Sequence, residues 1–420
     1  MSPTRSSPAE SPQLNAMAPA FSPRIIYGFM VVGVLTGLAN GIAKIAIPLY
    51  AIHLHASAWQ IGIVGSVQFA GTLLLSLPIG ALIDRHGSLP LFRFGGIVGA
   101  MLYLFAYTRM TTAWDLIIGV TLFGLVNPFR MVATQAEFLH LLPLMGYAKA
   151  GWQRASHSVG MFLLGPMIGA LLVEQLGFST TFYLVSASML VAVLVGNQTL
   201  SFSPAPIRNQ KVSMLQRLRD QWGVVASQKD LRDSLINEFI SQLASSYFSA
   251  FAVLIGLTLY GFSASLAATL VVLQGAAFVF TLLVGGTLAT VLARSTRMAL
   301  GYALILAGLC FLGFAVQPYC LWVGALLLGV GVGWQHLTNV ECFAAVTAII
   351  GRGRAGGMFN MAGPSGGVAG AFLGGLIAQH YGYLAGFQIL AAGYGLLMLW
   401  QCARLVFKQR RPAFADGNGE

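Results

Sequence analysis

A small set of side chains able to carry charge or share a proton sits inside otherwise apolar runs of this sequence: Lys44, Arg130, Glu137, Glu238, His336 and Glu341. Ionisable groups in such surroundings are costly to bury and mark ion paths, proton relays or ligand cavities. Carboxylates and imidazoles exchange protons, while a lysine or arginine holds an acid. Helical spacing groups them further, because residues four or seven apart share a face. Asn40 lies four residues before Lys44, and Glu238, Gln242 and Ser245 form one stripe. Gln335 and Asn339 form another, with His336 and Glu341 beside them. Arg130 and Glu137 are seven apart, and serve equally as an internal ion pair or as working groups. A lone buried histidine such as His336 has two readings as well, as a hydrogen-bonded core residue or as a proton carrier whose ordinary pKa is about 6.5.

No metal-ligand cluster, nucleotide loop or nucleophile–base pairing accompanies these residues, so no metal, no cofactor and no enzymatic activity are expected. Cys310, Cys320, Cys342 and Cys402 lie in or at the ends of apolar runs without CxxC spacing and read as small apolar residues.

The elements that position these groups follow from composition. Of the 420 residues, 57% are hydrophobic and 8% charged, against about 25% charged in a soluble domain. An ordinary globular enzyme is thereby excluded. Crossing a hydrocarbon layer takes about 20 apolar residues per helix, and the chain has apolar length for about a dozen. Segments fall at 25–51, 58–83, 92–109, 113–139, 149–174, 180–199, 233–258, 263–291, 298–316, 319–347, 355–379 and 384–406. Backbone polar groups cannot stay unpaired in lipid, so each must be helical.

Of the 23 Lys and Arg residues, Lys44 and Arg130 fall inside segments and Arg109 at a loop on one side, while the rest share the opposite side. The positive-inside rule makes that side cytoplasmic, with both termini there. Topology therefore accounts for the net charge of +11, and no nucleic-acid partner is implied. Residues 1–23, rich in Ser, Pro and Ala without an apolar core, read as a disordered tail and not a signal peptide. Met17 is an alternative start. The polar stretch 201–232 separates six segments (24–200) from six more (233–407), and 408–420 form a short tail. Within the linker, Met214–Trp222 reads as a short amphipathic surface helix. An offset of 205 residues pairs Gly80 with Gly285, Gly119 with Gly324, Gly165 with Gly370, Gly169 with Gly374 and Gly177 with Gly382. Repetition at this scale implies two pseudo-symmetric halves.

Between segments 2 and 3 the pattern G-x-L-x-D-R-x-G appears at Gly80, Leu82, Asp84, Arg85 and Gly87. With the paired six-segment layout, it makes residues 24–407 resemble the major facilitator superfamily, whose paired halves are a worked example of this architecture. The resemblance implies an all-α membrane protein with twelve transmembrane helices in two pseudo-symmetric six-helix halves. It also implies a conformational latch at Gly80, Asp84, Arg85 and Gly87, in which Asp84 faces the start of segment 11 near Ala355–Gly357. A carboxylate at a helix N-terminus gains about 0.3–1 kcal/mol, whereas an exposed Asp84–Arg85 pair gains about 0–1 kcal/mol. Ser88 and Leu89 stand where this family commonly has a basic pair, and Arg93 is a partial substitute.

Gly165, Pro166 and Gly169 resemble the G-P-x-x-G element of the family's antiporters, with Ala170 in place of a last glycine, and imply a hinge that favours export. Gly363-Pro364 offers a second hinge. Arg130 resembles the family's buried arginine of segment 4, although Ala133 and Thr134 depart from the usual continuation. Segments 1, 4, 7 and 10 line the central cavity in this family, which assigns Asn40, Lys44, Glu238, Gln242, Gln335 and Asn339 to the substrate cavity. Gln68, Gln274 and Asn360 contribute from other segments, and Tyr247, Phe248, Phe251 and Trp334 either stack on a substrate or pack in the core.

The positive Lys44 and Arg130 opposite the negative Glu238 and Glu341 suggest an amphipathic or zwitterionic substrate with an acid group, such as a drug, a metabolite or a siderophore. Proton coupling falls to Arg130, Glu137, Glu341 or His336, because it needs a group that changes charge inside the membrane. By the segment ends above, Glu238 and Glu341 lie about one and a half turns in. The expected function is proton-coupled export, with proton-driven import of a metabolite or iron-siderophore complex as the alternative. Partners are the small-molecule substrate, protons and the lipid bilayer. A monomer in a bacterial inner membrane is expected.

Overall fold

The computed structural model describes residues 23–145, 152–199, 229–289, 292–350 and 352–409. These residues are almost wholly helical. The helices are α1 (Pro23–His53), α2 (Ala58–His86), α3 (Ser88–Met101), α4 (Ala113–Met145), α5 (Trp152–Ser158), α6 (Gly165–Thr199), α7 (Lys229–Tyr260), α8 (Ala264–Ala289), α9 (Arg294–Gly313), α10 (Tyr319–Ile350), α11 (Arg352–Tyr381) and α12 (Tyr383–Gln409). A π-helical turn (Leu102–Ala106) and a 3-10 turn (Tyr107–Arg109) extend α3, and a second π turn (Val159–Leu164) joins α5 to α6. Among the described residues, ten helical stretches are long and apolar enough to cross a membrane, and Tyr383–Leu399 is a shorter apolar helix. One of the ten, Ala155–Gln198, is 44 residues long, but Gly177 breaks it with φ 77° and ψ 174°.

The breaks are glycines in a backbone region that a side chain would strain. Gly87 (φ 80°), Gly177 (φ 77°) and Gly382 (φ 84°) each end one helix and let the next begin at once. Gly177 and Gly382 are partners in the 205-residue repeat, so the turn is copied along with the residue. The tight turn at Gly87 moves one boundary. α3 begins at Ser88 and not at the expected 92, because Gly87 caps α2 through its N–H to the Ile83 carbonyl at 2.8 Å and needs no further loop. α7 likewise begins at Lys229, four residues before the expected segment, which places Glu238 about two and a half turns inside its helix. The expected surface helix at 214–222 and residues 1–22 and 410–420 of the tails lie outside the described residues.

Glycines set the close packing. A methyl group at Gly165 would lie 2.5 Å from the Gly41 Cα, so the start of α6 rests on the α1 backbone. Gly370, 205 residues on, meets the Leu243 carbonyl of α7 in the same manner. The same equivalence holds for Gly124 of α4, whose Cβ would fall 2.6 Å from the Val67 carbonyl of α2, and Gly329 of α10 against the Gln274 carbonyl of α8.

Two seams tie α1–α6 to α7–α12. In one, α2 lies along α11: Gly62 and Gly375 leave their backbones in contact, and the Ser66 hydroxyl donates to the Val368 carbonyl at 3.1 Å. In the other, Phe162 packs on Gly275 of α8, and the Ser265 N–H at the start of α8 donates to the Glu174 carboxylate at 2.8 Å. These contacts involve the halves of α2, α8 and α11 remote from the Gly87 turn.

Candidate functional site

α7 and α10 bring together the polar residues that the stripe reading kept apart. The Glu238 carboxylate lies 3.1 Å from His336 Nδ1 and accepts a hydrogen bond from Asn339 Nδ2 at 2.9 Å. Glu238 is 7% exposed, His336 9% and Asn339 1%, so the group is sealed by protein. Next to it, Tyr302 of α9 donates its hydroxyl to Asn237, and its ring meets Tyr394 of α12 at 6.0 Å. Gly363 of α11 faces the same carboxylate, where an added methyl would come 3.9 Å from Oε1. Chemically this is a carboxylate and an imidazole in contact within an apolar bundle, an arrangement able to hold one proton between them. Glu238, read from sequence as cavity lining, therefore joins His336, read as a proton carrier. Asn237 and Tyr302 were missed. Asn237 carried a signal, being polar and adjacent to Glu238, whereas Tyr302 had none.

Gln335 and Arg130 each pack against a neighbouring outer helix. Gln335 is 2% exposed and turns toward α9, where its Cγ fills the space that a methyl on Gly301 would need. His336 and Asn339, three apart, instead straddle the face that meets α7. Arg130, also 2% exposed, lies against α3, where a Cβ on Gly95 would be 2.5 Å from the Arg130 backbone nitrogen and one on Gly96 3.7 Å from its Cδ. Its Nη2 donates to Asn127 Oδ1 at 2.7 Å. Among the described residues, the hydrogen-bond partner of Arg130 is Asn127 and not Glu137. Side chains on a helix lean toward its N-terminus, so Arg130 reaches back one turn to Asn127 and away from Glu137.

Glu137 has a different role. Its carboxylate accepts the Ser88 hydroxyl at 2.5 Å, which ties the Gly87 turn to α4. Ser88 was noted only as a departure from a basic pair, and in the structure that departure supplies the donor. Among the described residues nothing lies within 4 Å of a methyl on Gly80, Arg85 is exposed and Gly87 forms the turn. The Asp84, Glu341 and Asn360 side chains lie outside the described residues.

On α1, Lys44 is partly accessible and its Nζ lies 4.6 Å above the Phe162 ring. Asn40, one turn earlier, and Gln242 of α7 are also partly accessible. Phe162 sits in the π turn before Gly165, where the Gly165 N–H bonds the Gly160 carbonyl five residues back. Pro166 has no N–H to offer the carbonyl four residues before it, that of Phe162. The hinge residues Gly165, Pro166 and Gly169 thus adjoin an irregular turn, with Gly169 seated on Ile42 of α1. Phe162 meets Phe278 of α8 at 6.0 Å, and Phe278 lies 5.9 Å from the His336 ring. Side chains in contact thereby run from Lys44 to Glu238. The two phenylalanines were missed, since nothing separates them in sequence from the chain's other aromatic residues. Of the expected stacking aromatics, Tyr247, Phe248 and Phe251 are buried in the α7 core and Trp334 is 6% exposed.

A family model described as Major Facilitator Superfamily matches residues 29–351 and 234–419. "Multidrug resistance protein MdtG" of Citrobacter koseri is 25% identical over 225 residues, covering 50% of this chain and 52% of the relative. The protein of the same name from Serratia proteamaculans is 25% identical over 224 residues, covering 50% and 51%. The chain spans about half the length of the curated relatives it matches. Among solved structures, the nucleoside transporter NupG superposes with a TM-score of 0.74 at 14% identity, covering 90% of this chain and 98% of that one. The human organic anion transporter MFSD10 (TETRAN) superposes with 0.64 at 17% identity, covering 90% and 99%. At these identities the two structures speak for the fold alone.

Proposed function

The chain belongs to the Major Facilitator Superfamily, and from that premise we propose that it is a secondary active transporter exporting a small organic molecule in exchange for protons. In this reading, residues 24–200 and 233–407 form two six-helix halves, with twelve membrane crossings and both termini in the cytoplasm. The halves rock about the seams described above, so that a site between them faces each side in turn. The observation that carries the coupling is the sealed contact of Glu238 with His336 and Asn339. A proton entering this pair changes the charge of the α7–α10 interface, and that change biases the rocking equilibrium. Glu137 is assigned a structural part, since Ser88 engages it at the turn. The exporter direction draws on the Gly165-Pro166 element and on the multidrug-resistance name of the MdtG relatives. A bacterial inner membrane is the location that fits those relatives.

Vesicles of both orientations test direction and coupling together, with ethidium and 1-naphthoate as probes. Under an imposed pH gradient, inverted vesicles should accumulate one of them and right-side-out vesicles should not. The opposite orientation would establish the import reading instead. Glu238→Gln should lose gradient-driven accumulation by at least about tenfold, the factor that one lost charge-assisted hydrogen bond carries. Accumulation by Glu238→Gln at the wild-type rate would refute the coupling site. For Asp84 we keep the latch: Asp84→Asn should change transport rate and leave substrate affinity nearly intact, and a large affinity loss with normal turnover would count against it.

A further inference from the structure

We propose that Lys44 is the anion-recognition residue of the transport site, and that the substrate is an organic acid whose carboxylate or similar group lies beside an aromatic ring. This rests on the transporter reading and narrows its substrate class. Among the described residues, no carboxylate lies within ion-pair distance of Lys44, and the Phe162 ring is its one polar or π partner. A ring face replaces only part of the hydration that an ammonium gives up on burial. Arg130, the other cation expected nearby, is spent elsewhere: it turns toward α3 and bonds Asn127. Positive charge on the α1 side of the seam therefore rests with Lys44, about nine residues from the end of α1, well inside the apolar span.

Phe162 and Phe278 meet across the seam at 6.0 Å and 58°, forming an apolar shelf directly beside the ammonium. The same shelf ends at His336, 5.9 Å from Phe278. An acid group on Lys44 places an attached ring on that shelf and directs the remainder of the molecule toward the Glu238 cluster. Substrate charge and coupling proton then occupy opposite ends of one contact chain. A neutral molecule of the same shape gains the shelf and leaves Lys44 without a partner.

The test is calorimetric binding of 1-naphthoate and of its uncharged amide, 1-naphthamide, to the purified full chain. The wild type should bind the acid at least about tenfold more tightly than the amide, the preference that one charge-assisted hydrogen bond supplies. Lys44→Gln should erase that preference, and Lys44→Arg should restore most of it. Phe162→Leu should weaken both compounds alike and leave their ratio unchanged. Thermal unfolding of each variant separates these effects from misfolding, and Lys44→Arg decides the case if Lys44→Gln does not fold. Equal binding of acid and amide, binding of neither, or a preference that survives Lys44→Gln overturns the assignment. The transporter reading is tested separately: pH-driven flux without a Lys44-dependent acid preference removes this assignment and leaves that reading standing. A Lys44-dependent preference without any flux does the reverse.

Discussion

Arg130 in α4 and Gln335 in α10 are 205 residues apart and occupy equivalent places. Each is 2% exposed, and each rests on a glycine of the next outer helix, Gly95 in α3 or Gly301 in α9. Each keeps one buried nitrogen without a hydrogen-bond partner, Nε in Arg130 and Nε2 in Gln335. One residue further along, the likeness ends. His336 and Asn339 converge on Glu238, whereas their counterparts 205 residues earlier are Met131, Thr134 and Gly33. Met131 is 41% exposed, and Thr134 bonds the carbonyl of its own helix at Arg130. The chain repeats its backbone packing and leaves its ionisable chemistry unrepeated. Packing between helices is set by small residues that both copies keep, while the proposed proton site would need only one copy to bias a two-state bundle.

The glycine contacts give the largest expected effects and test the repeated part. Gly165→Ala and Gly370→Ala each force a methyl into a neighbouring backbone. Each should destabilise the solubilised protein by about 1–3 kcal/mol, as overpacking does, with thermal unfolding as the readout. Gly80→Ala, where nothing among the described residues lies within 4 Å, should leave the unfolding temperature unchanged. A harmless Gly370→Ala beside a damaging Gly165→Ala would break the equivalence. A smaller effect is expected at the matched polar positions. Arg130→Gln places in α4 the residue that α10 already has and removes a partly buried hydrogen bond to Asn127, which costs about 0.5–1.5 kcal/mol. Its proton response should stay that of the wild type. Loss of gradient-driven flux in Arg130→Gln, with normal unfolding, would return Arg130 to the coupling machinery.

Much of this was legible in sequence, and the remainder has identifiable causes. Apolar runs and the 205-residue spacing marked the helices, because lipid leaves the backbone no choice but to bond within each segment. Gly177 and Gly382 were paired by spacing before their shared left-handed turns were known. Helix ends were read less well: Gly87 turns within one residue, and the charged Lys229–Arg232 stretch looked like linker although it begins α7. At the site, the residue types were visible but their partners were not. Period alone puts Gln335 with Asn339 and Arg130 with Glu137. Which side of the helix meets α9 or α3 depends on glycines in those neighbours, Gly301 and Gly95, and they carry no mark in the sequence. Ser88 and Phe162 gained their roles from a tight turn and a π turn that periodicity does not show.

In the proposed coupling the unrepeated Glu238–His336 pair takes up and releases a proton inside the membrane, while Glu137 holds the Gly87 turn through Ser88. Infrared difference spectroscopy of the protein reconstituted in lipid, titrated with pH, reads this directly through the stretching band of a protonated carboxyl group. A band that titrates in the wild type, vanishes in Glu238→Gln and persists in Glu137→Gln is the predicted result. A band unchanged in Glu238→Gln, or one lost in Glu137→Gln instead, would contradict the account.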